Sequence, residues 1–278
     1  MSETPNTQAT PGTPAELSTP AAVTLAEPGT PSADTLVESV EAQVEELSAE
    51  SLRIASELAE GYQLSPLDMV PNPSPLLVES TEEVAVPTPQ GVFGLRAWRF
   101  ADGAEHISAR ALDRDGTPVP AEDGGVPAVR IHSECATGDI FGSFRCDCGP
   151  QLENGLRIIG RTGGYLVYVR NHEGRGIGLV NKLRAYALQD AGLDTLDANL
   201  ALGLDGDMRD YSQAALILQE LGVNELRLVT NNPAKQEALE SLGLQVTELI
   251  PDEIPARVEN AHYLQTKRER MRHVLKSA

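Results

Sequence analysis

The chain has 278 residues, of which 41% are hydrophobic, and this is enough for one or two domains with a sizeable core. Its formal net charge of −19 argues against non-specific binding to nucleic acid or to an anionic membrane surface, and no apolar run approaches the roughly 18 residues that span a bilayer. Residues 1–85 contain fifteen acidic residues and one basic residue, Arg53, so the capacity to bind anions lies in the rest of the chain.

The N-terminal region is predicted to be an extension without a core of its own. Residues 1–33 are rich in Pro, Thr, Ala, Ser and Glu, and such a composition buries too little apolar surface to offset the entropy of ordering, so we predict disorder. Within residues 34–60, mostly apolar positions recur at spacings of three and four along Val40–Leu58, which predicts an amphipathic helix. That helix either packs on its own domain or is only marginally formed. The alternative is a helix that docks onto a protein partner or forms a coiled coil. Residues 62–87 are again rich in proline, and we interpret them as a linker.

From residue 88 onwards the chain has the patterning of a folded domain, so we place an acidic, mostly disordered extension at 1–87 and a domain at 88–278. The strand-like segments are Val92–Phe100, His106–Ala111, Tyr165–Arg170 and Leu226–Thr230, and the helix-like segments are Leu179–Ala191 and Tyr211–Leu221. The first strands have an antiparallel pattern, and strands and helices alternate after them. We therefore predict an α/β (α+β) fold, with a mixed sheet and flanking helices.

All three cysteines lie in one short segment, as Cys135, Cys146 and Cys148. An odd number of clustered cysteines favours a metal site in a reducing compartment, and the chain start lacks the pattern of a secretory signal, so we expect a cytoplasmic protein. Three thiolates can bind one tetrahedral zinc ion and leave its fourth position to water, whose pKa zinc lowers towards about 7. His132 or Glu134 could instead supply a fourth ligand. Buried or redox-sensitive thiols are the alternative interpretation.

His132 and Glu134 also form the H-x-E part of the signature of zinc-dependent nucleobase deaminases. That signature continues with P-C-x-x-C. This chain instead has C-x-C at Cys146 and Cys148, and no proline precedes Cys146. Deamination is therefore the second interpretation rather than the first.

The segment Arg130–Gly149, R-I-H-S-E-C-A-T-G-D-I-F-G-S-F-R-C-D-C-G, closely resembles the signature of GTP cyclohydrolase II. The resemblance extends over roughly residues 88–275 and implies a single catalytic domain with the fold of that family. Its further blocks, in the family's order and spacing, are His172–Leu179, Asn181–Asp190, Asp194–Asn199, Asp207–Asp210 and Thr230–Lys235.

The resemblance implies roles for individual positions. The residues that match the family's zinc ligands are Cys135, Cys146 and Cys148. The residues that match its GTP contacts are Arg130, Ile131, His132, Ser133, Glu134, Gln151, Glu173, Gly174, Arg175, Thr195, Thr230 and Lys235.

Three further positions match, or lie close to, the family's catalytic groups. Asp207 and Arg209 match its proposed proton acceptor and its proposed nucleophile towards the α-phosphorus. Because a guanidinium with a pKa above about 12 stays protonated, an electrostatic clamp on the phosphate is an alternative role for Arg209. A purely structural salt bridge between Asp207 and Arg209 is a further alternative. We expect the hydroxyl of Tyr186 near the guanine or the attacking water.

The resemblance implies zinc-dependent hydrolysis of GTP, with opening of the imidazole ring and release of formate and pyrophosphate. The product would be 2,5-diamino-6-(5-phosphoribosylamino)pyrimidin-4(3H)-one, in the first committed step of riboflavin biosynthesis. The resemblance also implies one Zn²⁺ per subunit, Mg²⁺ carried on the GTP phosphates, and a homodimer, with no nucleic acid or membrane as partner. A sensor that binds GTP and zinc without turnover is the alternative from another class.

The acidic extension matches nothing in this catalytic family. Some relatives carry dihydroxybutanone phosphate synthase ahead of the cyclohydrolase domain. The extension here is too short and too rich in proline for that domain, so we predict a single activity. Its expected role is that of a solubilising appendage, or of a docking segment for a protein partner.

Overall fold

The computed structural model describes Arg53, Glu57 and residues 75–122, 125–204 and 207–270. The predicted disorder at 1–33 and most of the predicted helix at 34–60 lie outside the described residues. Within that helix, Arg53 and Glu57 are helical and form an ion pair one turn apart. None of the described helices combines the length and the hydropathy that crossing a bilayer requires.

The first four strands form the antiparallel part of one sheet. They are β1 (Leu77–Ser80), β2 (Val84–Thr88), β3 (Gly91–Phe100) and β4 (Glu105–Leu112). β1, β2 and β4 all pair antiparallel with the long strand β3. β1 and β2 fall in the segment that we interpreted as linker, and there the structure differs from the prediction. The prolines led to the wrong prediction because a strand at the edge of a sheet tolerates a residue without an N–H group. Pro87 lies in such a strand, since β2 pairs on one side with β3.

The next four strands form the parallel part of the same sheet. They are β5 (Ala128–Ser133), β6 (Gly164–Val169), β7 (Glu225–Val229) and β8 (Gln245–Ile250). β6 joins the two parts, since it is antiparallel to β4 and parallel to β5, while β7 is parallel to both β5 and β8. The order along the sheet is β1-β3-β4-β6-β5-β7-β8, with β2 also on β3. The predicted mixed sheet is confirmed.

Helices connect and flank these strands. The described helices are α1 (Ala136–Asp139), α2 (Cys148–Thr162), α3 (Glu173–Gly176), α4 (Gly178–Asp190), α5 (Thr195–Ala201), α6 (Ser212–Glu220), α7 (Pro233–Ser241) and α8 (Ala261–Arg270). The two predicted helices are confirmed as α4 and α6, and the four predicted strands as β3, β4, β6 and β7. Their ends differ from the predicted ends by at most one residue.

β5 lies at the centre of the parallel part and is buried almost throughout. Val129 and Ile131 of β5 belong to the main core cluster, together with Leu218 of α6 and Leu228 of β7. Arg130 and His132, which alternate with these two residues along the strand, are buried as well, so β5 is covered on both faces. Because β5, β6 and β7 are parallel, their carboxyl ends meet at one edge of the sheet, where ligands bind in open α/β folds.

His106 of β4 is a buried polar residue in this framework, with 1% of its surface exposed. Its Nδ1 accepts the backbone N–H of Arg170 at 3.1 Å, and its Nε2 lies 2.6 Å from the amide oxygen of Gln213, to which it donates. Both ring nitrogens are thus satisfied in the neutral form. Burial lowers the pKa of His106 below its ordinary value.

We predict that the free energy of unfolding decreases as the pH falls below about 6.5, the pKa of histidine in an unfolded chain. His106 stays neutral when folded but binds a proton when unfolded, so its contribution is present above pH 6.5 and is lost below it. For each histidine of this kind, the free energy of unfolding decreases by about 1.4 kcal/mol per pH unit below pH 6.5, until the pH reaches the pKa of the folded state. Urea unfolding from pH 8 to pH 5 should give a shallower pH dependence for His106→Gln than for the wild type. Equal slopes in the two proteins would contradict this account of His106.

Candidate active site

A pocket opens where the parallel strands end. Ser133 is the last residue of β5, His172 follows β6 and Thr230 follows β7, and all three line the pocket. Further lining residues come from α2, α4, α5, α7 and α8. The fold therefore assembles the pocket from segments that are far apart in the chain.

Three cysteines in this pocket form the one group of three or more potential metal ligands found among the described residues. The sulfur atoms of Cys135, Cys146 and Cys148 lie within 4.8 Å of one another, and those of Cys135 and Cys146 are 3.7 Å apart. Zinc–sulfur bonds of about 2.3 Å in a tetrahedron place two sulfurs about 3.8 Å apart. The donor set and its spacing therefore fit zinc, and neither His132 nor Glu134 belongs to the group.

Two glycines allow α1 to approach the cysteine loop, which we define as Cys146–Cys148. A Cβ atom on Gly138 would lie 3.0 Å from the sulfur of Cys146 and 2.9 Å from the Cβ of Cys148. A Cβ atom on Gly149 would lie 2.5 Å from the backbone oxygen of Gly138. Larger residues at either position would push the cysteines of the two segments apart.

Lys182 of α4 reaches the cysteine group from a buried position. Its Nζ donates to the sulfur of Cys135 at 3.0 Å and to the hydroxyl of Thr137 at 2.9 Å. It also pairs with Glu173 at 2.6 Å, and Glu173 accepts the backbone N–H of Ala136 at 2.6 Å. The lysine therefore places a positive charge against a Cys135 thiolate, and Glu173 fixes its orientation.

Asp139 connects β5 to the start of α1. Its carboxylate accepts the hydroxyl of Tyr168 at 2.9 Å and the backbone N–H of Cys135 at 3.0 Å. Nε2 of His132 lies 3.1 Å from the same carboxylate, and burial lowers the pKa of His132. A neutral imidazole that donates from Nε2 therefore lies on the pocket wall beside Cys135.

His172 orients another lining residue, a role that the sequence did not reveal. Its Nε2 donates to the backbone oxygen of Asp210 at 2.8 Å, so Nδ1 is left to accept the hydroxyl of Ser133 at 3.1 Å. Burial, followed by the charge of Arg209, lowers the pKa of His172 to about 3. The neutral ring thus links the end of β5 to the segment that carries Arg209.

Cationic side chains are crowded along the pocket. Arg175, Arg209 and Lys235 all line it. Burial, followed by the charge of Arg209, lowers the pKa of Arg175. Burial, followed by the charges of Arg130 and Arg209, lowers the pKa of Lys235 well below its ordinary value. Such mutual repulsion is relieved when a polyanion binds.

Backbone strain occurs in the same region. Arg175 has φ 72°, in the left-handed region that residues other than glycine rarely adopt, and Gly174 beside it has φ 60°. A strained residue of this kind is typical of functional sites. The backbone oxygen of Arg175 accepts the N–H of Met208 at 2.9 Å, which ties this turn to the segment of Arg209.

Hydrogen bonds and an ion pair with other protein groups hold two of the basic side chains of the pocket, Arg130 and Lys235, in place. Arg130 pairs with the buried Asp252 at 2.9 Å and donates to the side-chain oxygen of Gln151 at 3.1 Å. Lys235 donates to the backbone oxygen of Ile131 at 2.7 Å. These contacts fix the positions of both positive charges.

The structure brings most of the residues that the sequence singled out to this pocket. Those that line it are Arg130, His132, Ser133, Glu134, Cys135, Cys146, Cys148, Gln151, Gly174, Arg175, Tyr186, Thr195, Arg209, Thr230 and Lys235. The exceptions are Ile131, Glu173 and Asp207, which do not line the pocket. Ile131 is buried in the core, Glu173 holds Lys182, and Asp207 forms a two-point ion pair with Arg209.

Sequence reasoning missed several lining residues. Lys182 stands in a block that carried the family resemblance, but its residue type did not reveal that it would reach a cysteine. Tyr263 and Lys267 of α8 lie in a part of the predicted domain for which we predicted neither an element nor a site residue, and both line the pocket. A helical spacing of four between an aromatic and a basic residue is the signal that could have drawn attention to them.

We predict that Lys235→Met weakens the binding of tripolyphosphate about 10- to 100-fold, because one charge-assisted hydrogen bond contributes about 1.5–3 kcal/mol. Isothermal titration calorimetry measures the change in Kd. Arg161→Met is the matched control, since Arg161 is an exposed cation in the last turn of α2 and does not line the pocket. Equal losses of affinity in the two variants would show that only net charge matters.

Comparison with known proteins agrees with this site. The profile of the GTP cyclohydrolase II family matches residues 79–251. A protein named riboflavin biosynthesis protein RibBA from Rhodococcus jostii is 52% identical over 200 residues, which is 71% of this chain and 47% of that protein. Its namesake from Mycobacterium tuberculosis (strain ATCC 25177 / H37Ra) is 50% identical over 199 residues, 71% of this chain and 46% of that protein. This chain therefore spans about half the length of these curated relatives, and it belongs to the GTP cyclohydrolase II family.

Proposed function

We propose that this protein is a zinc-dependent GTP cyclohydrolase that opens the imidazole ring of GTP and releases formate and pyrophosphate. The product would be 2,5-diamino-6-(5-phosphoribosylamino)pyrimidin-4(3H)-one, in the first committed step of riboflavin biosynthesis. The observation that carries the proposal is that three thiols within 4.8 Å of one another share one pocket with Arg175, Arg209 and Lys235. A candidate metal site thus lies beside a cluster of cations that suits phosphate, which is the combination that the proposed reaction uses. The names of the relatives support the pathway.

At the cysteine end, Cys135, Cys146 and Cys148 would hold one Zn²⁺ per chain. When bound, zinc would supply Lewis acidity and activate water for attack at the guanine C8 carbon. The residues of the chain prepare the site for it. Lys182 compensates the charge of Cys135, and Gly138 admits the cysteine loop.

In this proposal, Tyr186 of α4 contacts the base or the attacking water. Its hydroxyl lies 3.4 Å from that of Thr137, which also contacts Lys182, and its ring lies 4.3 Å below the guanidinium of Arg145. Burial raises the pKa of Tyr186, so the hydroxyl keeps its proton at neutral pH. It would therefore act as a hydrogen-bond donor that orients the reacting groups.

The triphosphate would bind to the crowded cations. Arg175 and Arg209 offer planar groups for two-point contacts with phosphate, and Lys235 offers a point charge. The hydroxyl of Thr230 accepts the backbone N–H of Asn232 at 3.1 Å and still carries its own proton to donate to the ligand. Mg²⁺ would arrive on the phosphates, because it keeps most of its water and needs few protein ligands.

We propose that Arg209 is an electrostatic clamp rather than a nucleophile. Burial opposes its charge, but the neighbouring Tyr211 and Asp207 outweigh burial and raise the pKa of Arg209. The carboxylate of Asp207 accepts a hydrogen bond from Nε of Arg209 at 2.8 Å and a second one from Nη2. A guanidinium held protonated by a carboxylate has no free lone pair for attack, but it can stabilise charge that develops on the phosphate.

The quaternary structure and the compartment complete the proposal. We expect a homodimer, as the family resemblance implies, and Leu179, Val180 and Leu183 give α4 an exposed apolar surface for such a contact. Three thiols that serve as metal ligands require a reducing compartment, as the cytoplasm provides.

We predict that zinc-loaded protein incubated with GTP and Mg²⁺ releases formate and pyrophosphate together. Cys146→Ser should lower zinc content below one ion per chain and abolish formate release, because it removes one of three metal ligands. Formate is measured enzymatically, pyrophosphate by a coupled assay and zinc by atomic absorption.

The products distinguish the alternatives. Ammonia without formate would indicate a deaminase. Binding of GTP without any product, in protein that contains one zinc per chain, would indicate a sensor and would overturn the proposed function. Pyrophosphate without formate would show phosphoryl chemistry at the cations without ring opening.

We predict that Arg209→Lys retains measurable turnover, whereas Arg209→Gln loses about 10³-fold or more in kcat, the range for arginine groups that stabilise phosphoryl transfer. Lysine keeps the charge of a clamp but not its two-point geometry. Mass spectrometry of acid- and base-quenched reactions gives the second measurement. A phosphorylated or nucleotidylated Arg209 in the wild type would refute the clamp and establish the nucleophile.

A further inference from the structure

The last described helix, α8, contributes to the pocket although it lies beyond the segment that matches the family profile, which ends at residue 251. Leu264 and Thr266 are buried, with 2% and 5% of their surfaces exposed, and they anchor the helix. α8 also packs against α5, which carries the lining residue Thr195. Tyr263 and Lys267 are the residues of α8 that line the pocket.

Lys267 makes a buried ion pair with the cysteine loop. Its Nζ lies 2.7 Å from Oδ1 of Asp147, and the two side chains are 10% and 3% exposed. Asp147 stands between Cys146 and Cys148, and its other carboxylate oxygen accepts the side-chain N–H of Gln151 at 2.7 Å. The pair therefore connects α8 directly to the residue that separates two of the three sulfur atoms.

Tyr263 restricts the position of the lysine. The two residues lie one helical turn apart on α8, and Nζ of Lys267 is 4.5 Å from the centre of the Tyr263 ring. An ammonium group at this distance is attracted to the aromatic face. Lys267 is thus held from two sides, by the Tyr263 ring and by the Asp147 carboxylate.

We propose that Lys267 is a positioning residue for the metal centre, which holds Cys146 and Cys148 in ligating geometry through Asp147. α8 then contributes directly to the geometry of the site, although it lies beyond the segment that matches the family profile. The inference rests on the proposed function only in taking the three cysteines as zinc ligands.

The physical reason is the small tolerance of a zinc site. Ligand distances must agree with their ideal values to within about 0.2 Å, and residues that hold ligands from outside typically change metal affinity 10- to 100-fold when they are replaced. A buried carboxylate that loses its cation draws in water or turns towards solvent. Either response of Asp147 would displace the sulfur atoms on both sides of it.

The test is the rate at which the zinc-loaded, full-length chain loses zinc to an excess of the chelator 4-(2-pyridylazo)resorcinol, followed by absorbance without GTP. We expect Lys267→Met to release zinc about 10-fold faster than the wild type or more. Lys267→Arg, which keeps the cation, should release it more slowly than Lys267→Met. Arg268→Met is the matched control, because it removes the neighbouring, exposed cation of the same helix, and it should behave like the wild type.

Two measurements keep the inference open to refutation if Lys267→Met is also less stable. The double variant Asp147→Asn, Lys267→Met should release zinc no faster than the faster of the two single variants. The reason is that both single variants and the double variant lose the same interaction, the Lys267–Asp147 ion pair. With Co²⁺ in place of zinc, the sulfur-to-cobalt absorption band should shift in Lys267→Met but not in Arg268→Met. Zinc release at the wild-type rate, multiplied effects in the double variant or an unchanged cobalt spectrum would each overturn the inference.

These outcomes are separate from those of the proposed function. Formate release by the wild type stands whether or not Lys267 affects zinc. Conversely, zinc release is measured without substrate, so it tests Lys267 even if GTP is not turned over.

Discussion

Three thiol groups held within 4.8 Å of one another impose the strictest constraint on this structure. Thiolates at such short distances repel one another unless cations or a metal compensate their charge. In addition, two separate segments of the chain must meet to bring the three sulfur atoms together. Gly138 provides the space for that meeting, and Lys182 provides a positive charge 3.0 Å from Cys135. Lys267, through Asp147, holds the opposite segment. Lysine side chains of the chain thus hold both segments that carry the cysteines.

The same need to compensate buried charge applies to the polar groups along the parallel strands. Arg130 and His132 lie on the buried strand β5, where an unpaired charge or donor would be costly. Arg130 is neutralised by Asp252, and His132 stays uncharged beside Asp139. Such networks stabilise the pocket wall only because most of their members have partners, and they give the site a rigid floor. By contrast, burial and then neighbouring positive charges lower the pKa values of Arg175 and Lys235, so cations of like sign lie close together at this end of the pocket.

The fold could be predicted from the sequence wherever the pattern is local. β3 and α4 were found to within one residue, because alternation and helical periodicity are properties of short segments. β1 and β2 could not be found, since the prolines before β1 and within β2 resemble a linker and only pairing with β3 makes these segments strands. In the site, the family blocks pointed to most of the lining, yet Asp207 and Glu173 turned out to support lining residues rather than to line the pocket.

The sequence by itself determined the candidate metal ligands, because Cys135, Cys146 and Cys148 lie within one short segment and their residue type and spacing carry the chemistry. Only the tertiary structure decided which cations hold them. Lys182 is 47 residues from Cys135, and Lys267 is 120 residues from Asp147. No local pattern encodes a contact over such a separation. The path of the chain brings α4 and α8 to one pocket, and the loss of water from buried charges then selects these pairings.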